Sequence, residues 1–481
     1  MKIAIVHYHL RRGGVTNVIQ SSQEALRGTG AEVLVISGEP PEGAEMANVV
    51  TNSGLSYRNK GYLSAAEGLT DSLQRTAQEH FGSQPDVWHI HNHSLGKNVL
   101  LPLAITGLAE DKAGILLQMH DFPEDGRPQN YVSQWNFYDL EKEFARTLYP
   151  LASHIHYATI NSRDRNFLIS AGMKPEQIHL LPNAVPGTQT ETTPENRPFS
   201  KDKNFILYPS RAIRRKNLGE LILLALAYGD ENDFATSLIP ENPEWKPVHD
   251  HWQQLSEELN LPITFGIGQD GKYSFADLVG WADGMLTTSI AEGFGLAFLE
   301  PWLLGKSAVG RNLPRITTDF ADCGISLDHL YDRINIPLSW LDKKELQKTA
   351  DDTLRRLYLA YNRPLPRNAV KKVFSRWIED DAIDFGMLNE FYQTKIIKKV
   401  SADPAALKEL NLPTIDFCDA KEIEIKNQLV KSHYSLDSYR ANLLGLYQRV
   451  TDSPRGKMTS LDPKKVLEQF LDPQRLNLLK T

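Results

Sequence analysis

With 481 residues, the chain has room for two or more domains, each with a core of its own. Its composition, 41% hydrophobic and 23% charged, excludes a disordered chain. A net charge of −7, with 15 Lys and Arg against 19 Asp and Glu in residues 1–190, excludes a broad basic face for nucleic acid or an anionic membrane, though not a local basic patch. No window carries the roughly 18 uninterrupted apolar residues of a membrane span, and MKIAIVHYHL is too briefly apolar for a signal peptide. The two cysteines, Cys323 and Cys418, have no metal-ligand spacing and suit a reducing compartment. These features predict a cytoplasmic protein without stable membrane insertion.

The first predicted strand is KIAIVH (2–7), followed by the turn-rich YHLRRGG and a helix from about Val15 to Arg27. Strand patterns follow at 31–37, 86–91, 114–120, 154–160 and 177–182, with helical segments between most of them. Short apolar strands alternating with helices predict a parallel, doubly wound sheet, the first domain, at 1–186. Residues 187–203, rich in Pro, Thr and Glu, read as a linker.

A second alternating series occupies 204–325: FILYPS (205–210), a helix from about Leu218 to Tyr228, then FATSLIP, PITFGIG, GMLTTS and SAVG up to residue 310. The expected fold class is α/β, with two Rossmann-like doubly wound domains facing a cleft at the carboxyl ends of their sheets. Residues 326–433 read as a charged helical extension, and 434–481 as a closing helix and tail that return to the first domain.

The stretch LTTSIAEGFGLAFLEPWLLGKSAVG (286–310) carries the most chemistry. It reads as a strand end, a tight loop around Gly293 and Gly295, and an apolar helix in which Pro301 predicts a kink. Amides from about Phe294 to Ala297 would then seat a phosphate or sugar hydroxyl, bracketed by Glu292 and Glu300. EGFGLAFLE resembles the E-x7-E signature of family 4 retaining glycosyltransferases, which have the two-domain GT-B fold and use nucleotide-sugar donors.

The resemblance implies that Glu292 meets the transferred sugar, that Phe294, Gly295 and Leu296 meet sugar and phosphate, and that Glu300 holds the ribose. It implies that Arg211 and Lys216, five apart after FILYPS, neutralise the donor diphosphate, whose charge grows as the glycosidic bond breaks. Gly13 and Gly14 resemble the glycine loop beside donor and acceptor, and the neighbouring Arg11 and Arg12 would select an anionic acceptor. His120 matches the histidine near the transferred sugar, with Asp121 beside it on the acceptor side. Glu292, His120, Arg211 and Lys216 are the expected catalytic residues. In Gly266-Ile-Gly-Gln-Asp-Gly271, which also fits a dinucleotide fingerprint, backbone groups of Ile267 would read the base.

Two features depart from that pattern. Gly310-Arg-Asn-Leu-Pro-Arg315 replaces the G-G-x-x-E of many members, and 326–433 matches nothing in the family. The expected reaction moves a hexose from a UDP or GDP sugar to a hydroxyl of a small soluble acceptor, with retention. No cofactor is expected, and the lack of a D-x-D motif fits metal independence. The alternatives are a sugar phosphorylase on the same fold, a non-catalytic partner subunit, and a metal-dependent hydrolase built on His89, His91 and His93, which alternate toward one face of a strand.

Overall fold

The computed structural model describes all residues of the chain except 44–45, 62, 139–140, 188–196, 212 and 481, so the expected linker at 187–203 lies largely outside the described residues. The chain divides into two compact units. The first comprises Met1–Ala184, Leu357–Pro364 and Tyr434–Asp472, and the second Val185–Arg356, Leu365–His433 and Pro473–Thr481.

The first unit is built on a seven-stranded parallel sheet, in spatial order Val49–Thr51, Glu32–Ser37, Lys2–His7, Val87–His91, Ile115–Met119, Ile155–Thr159 and Ile178–Leu180. Most of its strands are buried along their length, as expected where both faces are covered. The strand order reverses between Lys2–His7 and Val87–His91, which opens a crevice at their carboxyl ends. Helix Leu436–Asp452 covers this sheet together with helix Gly14–Leu26. Its apolar stripe of Tyr439, Leu443, Leu446, Tyr447 and Val450 follows helical spacing, and Ser435 caps its first turn through the Ser438 amide.

Two chain segments sit in units other than those expected from their sequence position. Leu357–Pro364 belongs to the first unit, where the Tyr361 hydroxyl donates toward the Pro123 and Glu124 carbonyls, both at 3.0 Å. Pro473–Thr481 belongs to the second, where Trp377 Nε1 donates to the Leu476 carbonyl and Asn477 Nδ2 to that of Gly386.

Glu124 is almost fully buried, with both carboxyl oxygens 3.0 Å from the Tyr149 hydroxyl. Burial pushes its carboxyl from an ordinary 4.5 up to about 8. Between those values the folded protein keeps a proton that the unfolded chain has released, so this stability is lost as pH rises through the window. Buried histidines act in the opposite sense: burial lowers His7 and His120 to about 3 and His89 and His93 to about 4. Their contribution is complete above the ordinary 6.5 and falls away in acid. From pH 6.5 to 8, where the histidines contribute alike to both proteins, the wild type is therefore expected to lose stability relative to Glu124→Gln by up to about 1.4 kcal/mol per pH unit. Unfolding midpoints at the two pH values check this; equal losses in both proteins would remove Glu124 as the cause.

The second unit has a five-stranded parallel sheet ordered Ile263–Thr264, Asn232–Leu238, Asn204–Arg211, Gly284–Thr287 and Ser307–Gly310. Its strand order reverses between Asn204–Arg211 and Gly284–Thr287. The strand expected over 262–268 is shorter, because Gly266 turns the chain at φ 64° and the amides of Ile267 and Gly268 bond back to the Thr236 and Ser237 carbonyls. The extension, expected as helical, also holds an antiparallel sheet of Asn335–Pro337, Ala382–Asp384 and Ile378–Glu379. Asp380 and Asp381 make its hairpin turn, both at positive φ, as two-residue hairpin loops require. Strands of two or three residues are too short for alternation to reveal in sequence.

Candidate active site

In the second unit the two loops that leave the reversal point meet on Glu292. Chain 214–216 is a 3-10 turn, whose successive side chains diverge by about 120°. Arg214 turns to Glu390, with contacts of 2.6 and 2.9 Å. Lys216 and Arg215 both turn to Glu292, with Lys216 Nζ 2.5 Å from Oε1 and Arg215 Nη1 2.9 Å from Oε2. Arg215 also donates to the Ala291 carbonyl. The turn is tied to the neighbouring strand, since the Lys216 carbonyl accepts from the hydroxyls of Tyr208 and Thr288 at 2.7 and 2.8 Å.

Arg211, expected beside Lys216, instead forms a 2.7 Å surface pair with Glu241. It is the last residue of its strand and precedes the turn that aims Arg215 and Lys216 inward. Arg215, which the sequence left without a role, is thus the arginine that joins Lys216 at Glu292. Position within RAIRRK gave no means of choosing, because which arginine faces inward depends on the turn type.

Glu292 is largely buried, and burial alone would raise its carboxyl; Lys216, Arg215 and a hydrogen bond from Ser289 outweigh that and hold it below the ordinary range. Glu300 is shifted the other way, raised by burial against a weaker pull from Lys216. Two carboxyls within reach of one ammonium are thus kept in different states, one firmly ionised and one easier to protonate.

The loop between them differs from the expected helix. Leu296–Phe298 is a 3-10 turn, and the α-helix begins only at Glu300, running to Leu303. Glu300 is its first residue rather than two turns in, and Pro301 sits in the first turn, where its missing N–H costs no helical bond. No kink results. Gly295 adopts φ 95°, and a Cβ there would lie 2.9 Å from Ile316 Cγ2, so both conformation and space demand glycine. Phe294 anchors the loop by packing edge-on against Phe320, and Leu296 is exposed. The N–H of Ile267 is bonded to Thr236, which leaves its carbonyl for any contact with a base.

Arg311, in the segment that departs from the family pattern, is buried and reaches two carboxylates. It donates to Glu220 at 2.8 and 2.7 Å and to Asp384 at 2.9 and 2.8 Å. The departure thus serves to join the extension's small sheet to the second unit's core.

In the first unit, residues gather at the crevice after Lys2–His7, Val87–His91 and Ile115–Met119. Asn92, at φ 53°, uses its side-chain oxygen to receive the amides of His120 and Asp121 at 2.8 and 3.1 Å. His91 Nδ1 lies 2.9 Å from His120 Nε2, while His91 Nε2 is buried without a partner. An orphaned buried N–H is costlier than an orphaned lone pair. The proton of the pair therefore belongs on His91 Nδ1, and His120 carries its own on Nδ1, available to a ligand. Burial lowers both histidines, so both rings are neutral near pH 7. His91 is a residue that sequence alone did not mark as a partner of His120.

Asp121 is engaged by Arg127 at 2.6 Å, and Arg11 by Glu39. Arg12 is exposed and makes no ion pair among the described residues. Gly13 is the N-cap of the helix that Gly14 begins, and no atom lies within 3.9 Å of a Cβ placed on either, so the space beside them is open. His89, one of the three proposed metal ligands, has both nitrogens occupied, by Tyr447 at 2.8 Å and Gln118 at 2.9 Å. Among the described residues no three His, Cys, Asp or Glu side chains gather to hold a metal ion, and no helix is long and apolar enough to cross a membrane.

Residues 12–187 match the family Glycosyltransferase Family 4. The whole chain is similar to mannosylglucosyl-3-phosphoglycerate synthase of Petrotoga mobilis, 25% identical over 99% of this chain and 98% of that one. Among solved structures, a glycosyltransferase from Rickettsia africae superimposes with a TM-score of 0.57 at 13% identity, covering 94% of this chain and 99% of that one. Sucrose-phosphate synthase from Thermosynechococcus elongatus gives 0.53 at 15% identity, over 94% and 99%. Anabaena HepE in complex with UDP and glucose gives 0.52 at 14% identity, over 93% and 99%.

Proposed function

We propose that this chain, whose residues 12–187 match the Glycosyltransferase Family 4 model, is a GT-B glycosyltransferase that transfers a hexose from a UDP or GDP sugar to a hydroxyl of a small anionic acceptor, with retention. The observation that carries this reading is the buried Glu292 held ionised by Lys216 and Arg215 at the reversal point of the second sheet. The acceptor class follows the Petrotoga relative, whose name specifies a sugar-bearing 3-phosphoglycerate.

In the proposed mechanism Lys216 and Arg215 stabilise the departing diphosphate, and Arg211 adds charge from the strand end. Fixed cations act most strongly where charge grows in the transition state. Glu292 orients the transferred sugar, the loop of Phe294, Gly295 and Leu296 meets sugar and phosphate, and Glu300 holds the ribose. Gly13 and Gly14 give the donor close approach. His120 offers a neutral N–H to a sugar hydroxyl. The leaving phosphate takes the acceptor proton, so no protein nucleophile and no metal ion is needed.

Thermal-shift titration of the pure protein with UDP, GDP, ADP, their sugar conjugates, inorganic phosphate and NAD tests this. One nucleoside diphosphate is expected to raise the midpoint with concentration, by about 2.7 kcal/mol of stability at a hundredfold excess over Kd, and Lys216→Met to abolish the shift. A response to phosphate with none to any nucleotide would overturn the transferase reading in favour of a phosphorylase.

A further inference from the structure

We propose that Arg11, Tyr57 and Lys97 form a binding site for an oxyanion, the phosphate or carboxylate of the acceptor, at the crevice of the first unit's sheet. The word acceptor rests on the functional reading above; the anion site itself does not.

The chain is acidic overall, yet the segments meeting here bring together cations. Lys97 Nζ lies 5.2 Å and Arg11 Cζ 5.7 Å from the centroid of the half-exposed Tyr57 ring. Both are near enough for the ring to hold them in place. Arg58, next in the chain, is fastened to the same segment, its amide donating to the Lys97 carbonyl at 2.7 Å. With Lys60 it lines an adjoining open cavity of about 750 Å³.

The hydrogen-bond directions decide what Tyr57 can offer. The Arg11 amide donates to His9 Nδ1 at 3.3 Å, which makes that nitrogen an acceptor and puts the ring proton on Nε2. His9 Nε2 then donates to the Tyr57 oxygen at 2.7 Å. The hydroxyl's own proton is left to donate, and no described residue accepts it. Burial lowers His9, with Arg11 adding to the effect, so the neutral ring this chain of donors needs is the stable one near pH 7.

Glu39 takes Arg11 Nε and Nη2, each at 2.7 Å. This bidentate clamp fixes the guanidinium plane and leaves Nη1 for a ligand. An O–H donor beside two oriented cations suits a compact oxyanion. An apolar or cationic group would leave the Tyr57 proton, Arg11 Nη1 and the Lys97 ammonium without an acceptor.

Calorimetric titration of the full chain with 3-phosphoglycerate, inorganic phosphate and glycerate, and separately with UDP and GDP, tests the site. Wild type is expected to bind 3-phosphoglycerate, and Tyr57→Phe and Lys97→Met each to weaken it about tenfold, with nucleotide affinity unchanged. Binding of phosphate but not glycerate identifies the phosphate as the group held, and the reverse identifies the carboxylate. Wild type that binds none of the three anions, or two variants that bind as wild type does, overturns the proposal. Nucleotide binding without anion binding leaves the transferase reading standing and this one fallen, whereas anion binding without nucleotide binding does the opposite.

Discussion

Glu292→Gln is expected to lower kcat for hexose transfer by about 10²–10³, equivalent to roughly 3–4 kcal/mol of transition-state stabilisation. Glutamine keeps the shape but gives up the charge that holds Lys216 and Arg215 in register, so under the proposed mechanism the two cations lose their orientation toward the diphosphate as the sugar loses its own. The fold is expected to suffer far less, by under about 2 kcal/mol, because Arg215 is 41% exposed and can turn to water, and Lys216 still feels Glu300. Initial rates with the donor identified by thermal shift, set against urea midpoints, separate the two effects. Wild-type turnover in this variant would sink the assignment of Glu292, and loss of rate with equal loss of fold would make it structural.

Arg311→Met is expected to destabilise the protein by about 3–5 kcal/mol, because it leaves the Glu220 and Asp384 carboxylates buried and unpaired. Burial alone already raises Glu220, and Arg311, through its charge and its hydrogen bonds, is the largest influence that pulls it back, with a smaller one from the Tyr331 hydroxyl. Gly386 packs so closely on the guanidinium that a Cβ would lie 2.8 Å from Arg311 Cζ, so no neighbour can fill in. The combined variant Arg311→Met, Glu220→Leu, Asp384→Leu removes the orphaned charges and is expected to recover much of the loss. Urea unfolding of both variants measures this, and a single variant within 1 kcal/mol of wild type, as an order-of-magnitude threshold, would disprove the role. The cluster also reaches the site. Glu220 accepts from Asn217, and the Asn217 carbonyl accepts from Thr288, which also ties down Lys216. Donor affinity is therefore expected to fall along with stability in Arg311→Met.

Much of the molecule was legible in the order of its residues. The strands at 2–7, 204–211, 284–287 and 307–310 coincide with apolar runs, and their alternation with helices led to two parallel sheets with a reversal in each. The loop carrying Glu292 was legible too, because glycine and carboxylate spacing along one short segment is local information. The turn type after Arg211, the late start of the helix at Glu300 and the two- and three-residue strands of the extension were not. Each depends on backbone angles that several sequences share.

What only the tertiary structure decided are the partnerships. Arg215 meets Glu292 across 77 positions, Arg311 meets Asp384 across 73, and Arg11 clamps on Glu39 while Tyr57 gathers Lys97. Periodicity in a chain reports which residues share a face, since that follows from 3.6 or 2 residues per repeat. It carries no information on which charge from another loop will stand opposite. That is settled by which strands lie side by side and by the cost of leaving a buried charge alone, and both exist only once the sheets have formed.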